Sequence, residues 1–320
     1  MAATKLTDPL PHESPLDPSP ESRLIVPASP GAQMVTLSAI LLPFAGLVAA
    51  IFLLWGWGVT WTDLGLLIAL YFLTVFGVTV GFHRLFTHAA FETSEWVKFV
   101  FAALGSLSIE GPVFQWVAMH RRHHQHSDKV HDPHSPHHHG KGFMGWLKGA
   151  LHAHMGWFFE ADLPGVDRYI PDLKKSRALR AANSLFPLWM VLSLALPALL
   201  GGLISGTWKG ALTGLIWGGL VRIFIVHHVT WSVNSACHLW GRRPFASNDL
   251  SRNNLIFGFL ALGEGWHNNH HAFPSSARHG LRWWQVDLSY SVIQMLKVVG
   301  LAWNVRLPAL EAMTKASAAA

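Results

Sequence analysis

The sequence predicts an all-α integral membrane protein: four transmembrane helices arranged as two hairpins, carrying a helical, histidine-rich cap on the cytosolic side. Three observations carry this. The 320 residues are 51% hydrophobic and only 13% charged, where a soluble protein of this size holds about 25% charged residues. Four apolar runs are long enough to cross a bilayer. Three dense histidine groups fall outside those runs, each separated from the next by an even number of crossings. A single cysteine, Cys237, excludes a disulfide framework and any thiolate-rich metal site, so zinc-finger, iron–sulfur and CxxC redox readings fall away together. The formal charge of +6 sits in short loops beside the apolar runs, where it orients the chain in the membrane and does not indicate nucleic-acid binding.

Residues 1–33 hold Pro9, Pro11, Pro15, Pro18 and Pro20 and few large apolar side chains, too little to bury for a fold, and are expected to be a disordered tail. The membrane domain is expected over 34–305, followed by a tail at 306–320. The first span is predicted at about 34–57. A polar break at Thr60 to Asp63 leads to a second at about 64–82, and so tight a link makes a hairpin. The stretch Trp96 to Ile109 is half as long and contains Lys98; it is predicted to lie at the interface and return the chain to the same side. Spans three and four are predicted at about 185–204 and 212–229, joined by the small loop SGTWKG. The cap is then built from 83–182 and 230–305, and Lys174, Lys175, Arg177 and Arg180 place it in the cytoplasm. Leu288, Val292, Met295, Leu296, Val299 and Trp303 recur at helical spacing as an amphipathic helix, lying on the membrane or packed against the cap.

Of the 21 histidines, most weight falls on those with ligand spacing. HRLFTH supplies His83 and His88 at the exit of the second span. HRRHHQHSD supplies His120, His123 and His124, which at i, i+3 and i+4 of a helix share one side. HNNHH supplies His267, His270 and His271. WSVNSACHLWG adds Asn234 and His238, four apart on one helical face. Imidazole suits iron, copper, zinc and nickel about equally, so the ligand type alone does not choose the metal.

HRLFTH, WVAMHRRHHQHSD with the following HDPH, NSACHLWG and GEGWHNNHHAFP together resemble the membrane-bound fatty acyl desaturases of the stearoyl-CoA, or Δ9, type, over roughly residues 35–305. The resemblance implies a mushroom-shaped protein with four transmembrane helices and a cytosolic cap enclosing a di-iron centre. It places the metal ligands on His83, His88, His120, His123, His124, His238, His267, His270 and His271, with Asn234 reaching an iron through water. Nine histidines are too many for one ion and suffice for two with open positions for oxygen. Breaking an unactivated C–H bond needs the oxidising power of iron and O2, which redox-silent zinc lacks. The implied reaction is O2-dependent introduction of a cis double bond, at Δ9, into a saturated long-chain acyl thioester such as acyl-CoA. The two electrons come from an external donor of ferredoxin, cytochrome b5 or flavin reductase type, and a bacterial plasma membrane is the expected location.

Asp128, Asp132 and Glu264 are candidates to receive the second N–H of ligating histidines, with His154 and His228 as further polar supports. Trp146, Trp157, Trp231 and Trp266 are candidates to line an acyl tunnel. Arg121 and Arg122, with Lys174, Lys175, Arg242 and Arg243, could meet a phosphorylated head group. His137, His138 and His139 lie in a Pro/Gly-rich loop and are expected to be solvated; His126 is not expected to be a ligand. Two other functions fit parts of the sequence: a membrane di-iron hydroxylase, and a metal transporter, for which 34–57 and 64–82 offer no ionisable pathway residue. His123→Ala is expected to abolish activity and lower bound iron without preventing membrane insertion, checked by metal analysis of the membrane-extracted protein.

Overall fold

The computed structural model describes residues 30–56, 58–159 and 165–319. All of the expected disordered tail before residue 30 lies outside the described residues. Among the described residues the regular elements are helices, and contacts of strand type are isolated pairs such as Glu92 with Trp303. Among the described residues, four helices are long and apolar enough to cross a membrane: Gln33–Leu54, Trp61–Thr87, Phe186–Ser205 and Trp208–Leu239. The first belongs to a helix that starts at Pro30, so residues 30–33 are helical and not part of a tail.

The second and fourth helices run past the ends expected from hydropathy, by five and ten residues beyond 82 and 229. Hydropathy stops where the side chains turn polar, but backbone hydrogen bonding does not require apolar side chains. His83, Asn234 and His238 are consequently carried on the spans themselves. The break at Thr60 is a capping box, in which Thr60 accepts from the Asp63 N–H and Asp63 accepts from the Thr60 N–H at 3.0 Å.

Packing centres on the fourth span. It is 56% buried over its apolar window, against 17% for the first and third. Gly214 lies against Pro197 and Gly201 of the third span, where a Cβ would meet backbone, so this pair approaches through small residues. Gly46 of the first span abuts Leu220 of the fourth. Arg222, which the sequence reading passed over, is buried within the fourth span. It donates to the carbonyls of Leu107 (2.8 Å), Ser193 (3.0 Å) and Gly218 (3.1 Å). A buried guanidinium is tolerated there because its donors meet carbonyl oxygens.

The stretch predicted to lie at the interface is a twelve-residue helix, Glu95–Ser106, with Val97, Phe101 and Ala102 buried and Trp96 and Val100 exposed. It packs against the π-helical stretch Gly77–Thr87 that ends the second span. Val80, Phe82, Phe86, Phe101, Val113, Val117 and Ile293 form the main core beside the histidines. The amphipathic helix Leu288–Val298 joins this core through Ile293, Val292 and Leu296, which settles one of its two expected placements. Its opposite edge, Met295 and Val298, remains exposed.

The close approach of the second span to Glu95–Ser106 depends on Gly77, where any Cβ would run into the backbone of Leu104 and Gly105. Gly77→Val is therefore expected to destabilise the protein by about 1–3 kcal/mol or more through overpacking, read as a lowered Tm in detergent.

Candidate metal centre

The π-helical winding at the end of the second span solves a spacing problem. Residues five apart point to different sides of an α-helix, but the i→i+5 pattern of a π-helix stacks them. The His88 N–H donates to the His83 carbonyl at 3.2 Å, and the two rings lie 4.9 Å apart. The helix Val113–His126 carries His120, His123 and His124. The fourth span delivers His238, and the short helix His267–Ala272 delivers the last three imidazoles.

These nine side chains close into two sets. His83, His88, His120, His124 and His270 have a ring nitrogen each within 4.8 Å of the others, and so do His123, His238, His267 and His271. Each of the two HxxHH groups is divided between the sets. His120 and His124 go to the first and His123 to the second, whereas His267 and His271 go to the second and His270 to the first.

The Nε2 atoms face inward. In the first set they are 3.1 Å apart for His83 and His270, 3.1 Å for His120 and His124, and 2.9 Å for His124 and His270. In the second, His267 Nε2 is 3.1 Å from both His238 and His271. Two nitrogens bound to one ion at about 2.1 Å and a right angle stand about 3 Å apart, so the donor set fits one metal ion in each. Buried Nε2 atoms of His88 and His123 have no hydrogen-bond partner, a further mark of ligand positions.

Behind the rings stand carboxylates. The Nδ1–H groups of His123, His238 and His271 donate to Asp132 (2.9 Å), Asp128 (2.8 Å) and Asp249 (2.6 Å), and His83 Nδ1 stands 2.6 Å from Glu264. An ionised carboxylate only accepts, so it holds the proton on Nδ1 and leaves the Nε2 lone pair free for a metal. Burial opposes ionisation of Asp128, Asp132 and Asp249, but the adjoining imidazoles outweigh it and all three sit below the usual carboxylate range. Glu264 is likewise held down by Arg84, then His83 and His279. Burial, then crowding by other imidazoles, pushes His88, His120, His124, His267 and His270 well below the ordinary histidine range, and burial takes His271 to about 4. Near neutral pH these rings are uncharged, as ligands must be.

Arg84 locks this shell from behind. It is buried, pairs with Glu264, lies 3.1 Å from Asp287, and donates to the Ala277 and Thr79 carbonyls at 3.0 Å each.

A cavity of about 360 Å³ opens from both sets toward the spans. His83, His120, His267, Asn234 and Glu264 form its inner end, and Val35, Ile40, Phe186 and Met190 of the first and third spans its apolar walls. Trp157 and Trp231 line it as well. Trp266 and Trp146 do not: Trp266 is buried behind the site with its indole N–H donating to Val286 at 2.7 Å, and Trp146 faces a separate shallow pocket beside Trp240. Arg121 is committed to Asp172 and to the Tyr169, Phe86 and Thr87 carbonyls, which leaves its guanidinium no free edge for a head group. Arg122 is only partly buried. Lys174 pairs with Asp167, and Arg243 donates to Asp249 and Ser247. His154 and His228 pair with each other at 2.9 Å, away from both sets.

Of the loop histidines expected to be solvated, His138 is exposed, whereas His137 and His139 are half-buried. His137 meets the His238 carbonyl at 3.1 Å, His138 the Asp128 carbonyl at 2.9 Å and His139 the Ser135 carbonyl at 3.2 Å. They brace the loop that presents Asp128, because a Pro/Gly-rich segment lacks a regular backbone ladder and uses side chains to hold its shape. His126 lies outside both sets, 5.5 Å from the His131 ring.

Besides Arg84 and Arg222, four further groups are not marked by the sequence pattern. Asp249 lies 22 positions before His271, too far for any local spacing signal. His134 stacks on His123 at 4.2 Å and His279 lies 4.5 Å from His270; the HDPH string hinted at the former. Glu110 sits in the cavity wall, accepting from Thr230 (2.6 Å) and Trp116 (3.0 Å), and burial raises its carboxyl to about 7. A lone acid in an otherwise apolar stretch was its only signal.

Among the described residues, a bundle with four membrane-length helices and two inward-facing imidazole sets that could hold metal ions defines a helical protein apolar enough to cross a membrane, with a cavity that ends on a candidate metal centre. The fatty acid desaturase family model matches residues 60–294. Relatives include a hex-5-enoyl-[acyl-carrier protein] acetylenase of Moorena producens, 45% identical over 83% of this chain and 84% of its own. An sn-1 stearoyl-lipid 9-desaturase of Synechocystis is 40% identical over 79% and 75%, and an acyl-CoA C20 Delta5-desaturase of Anemone leveillei is 37% identical over 78% and 75%. The chain belongs to the fatty acid desaturase family.

Asp249→Asn, which keeps the shape but weakens the hold on His271, is expected to lower iron affinity about 10- to 100-fold, measured by chelator competition on the purified protein.

Proposed function

We propose that this desaturase introduces a cis double bond at Δ9 of a saturated long-chain acyl thioester, acyl-CoA in the first instance, with O2 as oxidant. The observation that carries the reading is the apolar cavity ending on two sets of inward Nε2 atoms. A saturated chain offers nothing to hydrogen-bond, so recognition rests on shape and burial. The cavity walls from the first and third spans would hold the chain, with Trp157 and Trp231 beside its inner end.

His83, His88, His120, His124 and His270 would hold one iron, and His123, His238, His267 and His271 the other, with Asn234 reaching an iron through water. Bound iron supplies the oxidising power that O2 needs to break two unactivated C–H bonds. The chain's own residues do the rest. Asp128, Asp132, Asp249 and Glu264 keep the ring protons on Nδ1, and Arg84 keeps Glu264 ionised. The apolar walls of the cavity would keep water from the reacting carbons. In balance, the acyl chain loses two hydrogens, O2 takes these with two protons and two electrons, and two waters leave. The electrons come from an external donor of ferredoxin, cytochrome b5 or flavin reductase type.

The spans form two connected hairpins within a domain of residues 34–305, with the histidine end in the cytoplasm of a bacterial plasma membrane. The basic residues Lys174, Lys175, Arg177 and Arg180 at that end support this orientation. Because the relatives act on carrier-protein, lipid and CoA derivatives by name, the assay should offer all three.

Expression in a host lacking unsaturated fatty acids is expected to restore monounsaturated chains, two mass units lighter than their saturated parents and cleaved at C9 on ozonolysis. Products heavier by one oxygen would make the protein a hydroxylase, and an unchanged profile with all three acyl carriers, iron and reductant supplied would overturn the reading.

A further inference from the structure

Outside the metal centre, an apolar surface on a non-spanning segment stands out. The helix Leu255–Leu260, sequence LIFGFL, carries no ionisable residue, and Leu255, Ile256, Phe259 and Leu260 are 56%, 64%, 49% and 47% exposed. The segment leads directly into Glu264 and the last histidine group.

Its depth is fixed by one contact. The Tyr71 hydroxyl donates to the Leu260 carbonyl at 2.5 Å. Tyr71 lies within the second span, Trp61–Thr87, sixteen residues from its histidine-bearing end and ten from its other end, or about 24 and 15 Å at 1.5 Å per residue. In a hydrocarbon core about 30 Å thick that is well below the surface. Ile68, Phe72 and Leu73 of the same span are exposed around this level, so the apolar surface of the short helix continues a surface that faces lipid.

Both ends of the segment also find backbone partners within the protein. Asn254 accepts from the N–H groups of Ile256 (3.1 Å) and Phe257 (3.4 Å). The carbonyls of Phe257, Gly258 and Phe259 accept from Ala261, Gly263 and Leu262, and that of Leu260 from Tyr71. Helix ends usually leave carbonyls to solvent; a segment immersed in hydrocarbon has to close them internally.

We propose that Leu255–Leu260 is a re-entrant membrane anchor, immersed in the acyl-chain layer of the leaflet on the histidine side and hung from the second span by Tyr71. It rests on the reading of Trp61–Thr87 as a membrane span. By entering lipid just before Glu264, it ties the last histidine group to the depth of the bilayer that holds the substrate.

The test is nitroxide depth measurement on the full chain in phosphatidylcholine/phosphatidylglycerol vesicles, with Phe259→Cys labelled and the native Cys237 buried from the reagent. Phe72→Cys serves as the span control and Lys129→Cys as the aqueous control. The Phe259 label is expected to match Phe72, with high collision with O2 and several-fold lower collision with a soluble nickel chelate than the Lys129 label. A Phe259 label as nickel-accessible as Lys129, with Phe72 protected, overturns the anchor alone; an accessible Phe72 overturns the span and the anchor with it. Dipolar broadening between Phe259 labels on different chains would assign the surface to a second copy and overturn the proposal. Ile256→Cys gives a second reading where Phe259→Cys fails to fold.

Discussion

Nine imidazoles gathered into two sets can serve as ligands only if each turns one nitrogen lone pair inward and gives its other nitrogen a defined role. Much of the surrounding shell serves that condition. A protonated ring among its neighbours would face both desolvation and like-charge repulsion, and burial and crowding hold the six whose shifts are given above below the ordinary range. Neutrality alone would leave the tautomer open. The carboxylates of Asp128, Asp132 and Asp249 remove that freedom by accepting from Nδ1, and Glu264 stands in the same position at His83. These acids would themselves be costly to bury, and Arg84 offsets the cost for Glu264 and Asp287.

Long helices meet the mechanical side of the same requirement. A ligand on a loop would need its own bracing, as the Asp128 loop does through His137 and His138. His83 and His238 instead ride on spans that continue past their apolar runs. The fourth span also grips the connector between Glu95–Ser106 and Val113–His126, through Arg222 to Leu107, His227 to Ser108 and Thr230 to Glu110. One helix therefore positions a ligand, a cavity wall and the helix carrying the central histidines.

The cavity explains why apolar spans and a polar centre belong to one unit. Its outer walls are side chains of the first and third spans and its inner end is the candidate metal centre, so one continuous cavity joins the apolar helices to the histidines. Glu110, held by Thr230 and Trp116 and raised by burial toward neutrality, places a polar group on that wall without adding a full charge.

Local patterns in the sequence determined a good deal. Hydropathy located the four membrane-length helices because each is a continuous run; the spacing of the histidines together with the family resemblance singled out the nine that cluster, and the need of ligating rings for an acceptor behind them pointed to Asp128, Asp132 and Glu264. Patterns within a few residues could not reach further. That HRRHHQHSD can serve two sets is permitted by helical rotation, which spreads His123 and His124 about 100° apart on their shared side, but which set each ring joins depends on partners delivered by other helices. The pairing of Asp249 with His271, the role of Arg84, the commitment of Arg121 to Asp172 and the exclusion of Trp266 from the cavity are long-range packing choices with no signature at the residues themselves. Composition and spacing record what each segment is made of; only the tertiary structure decides which side of it faces which neighbour, because that is set by the simultaneous fit of all the helices.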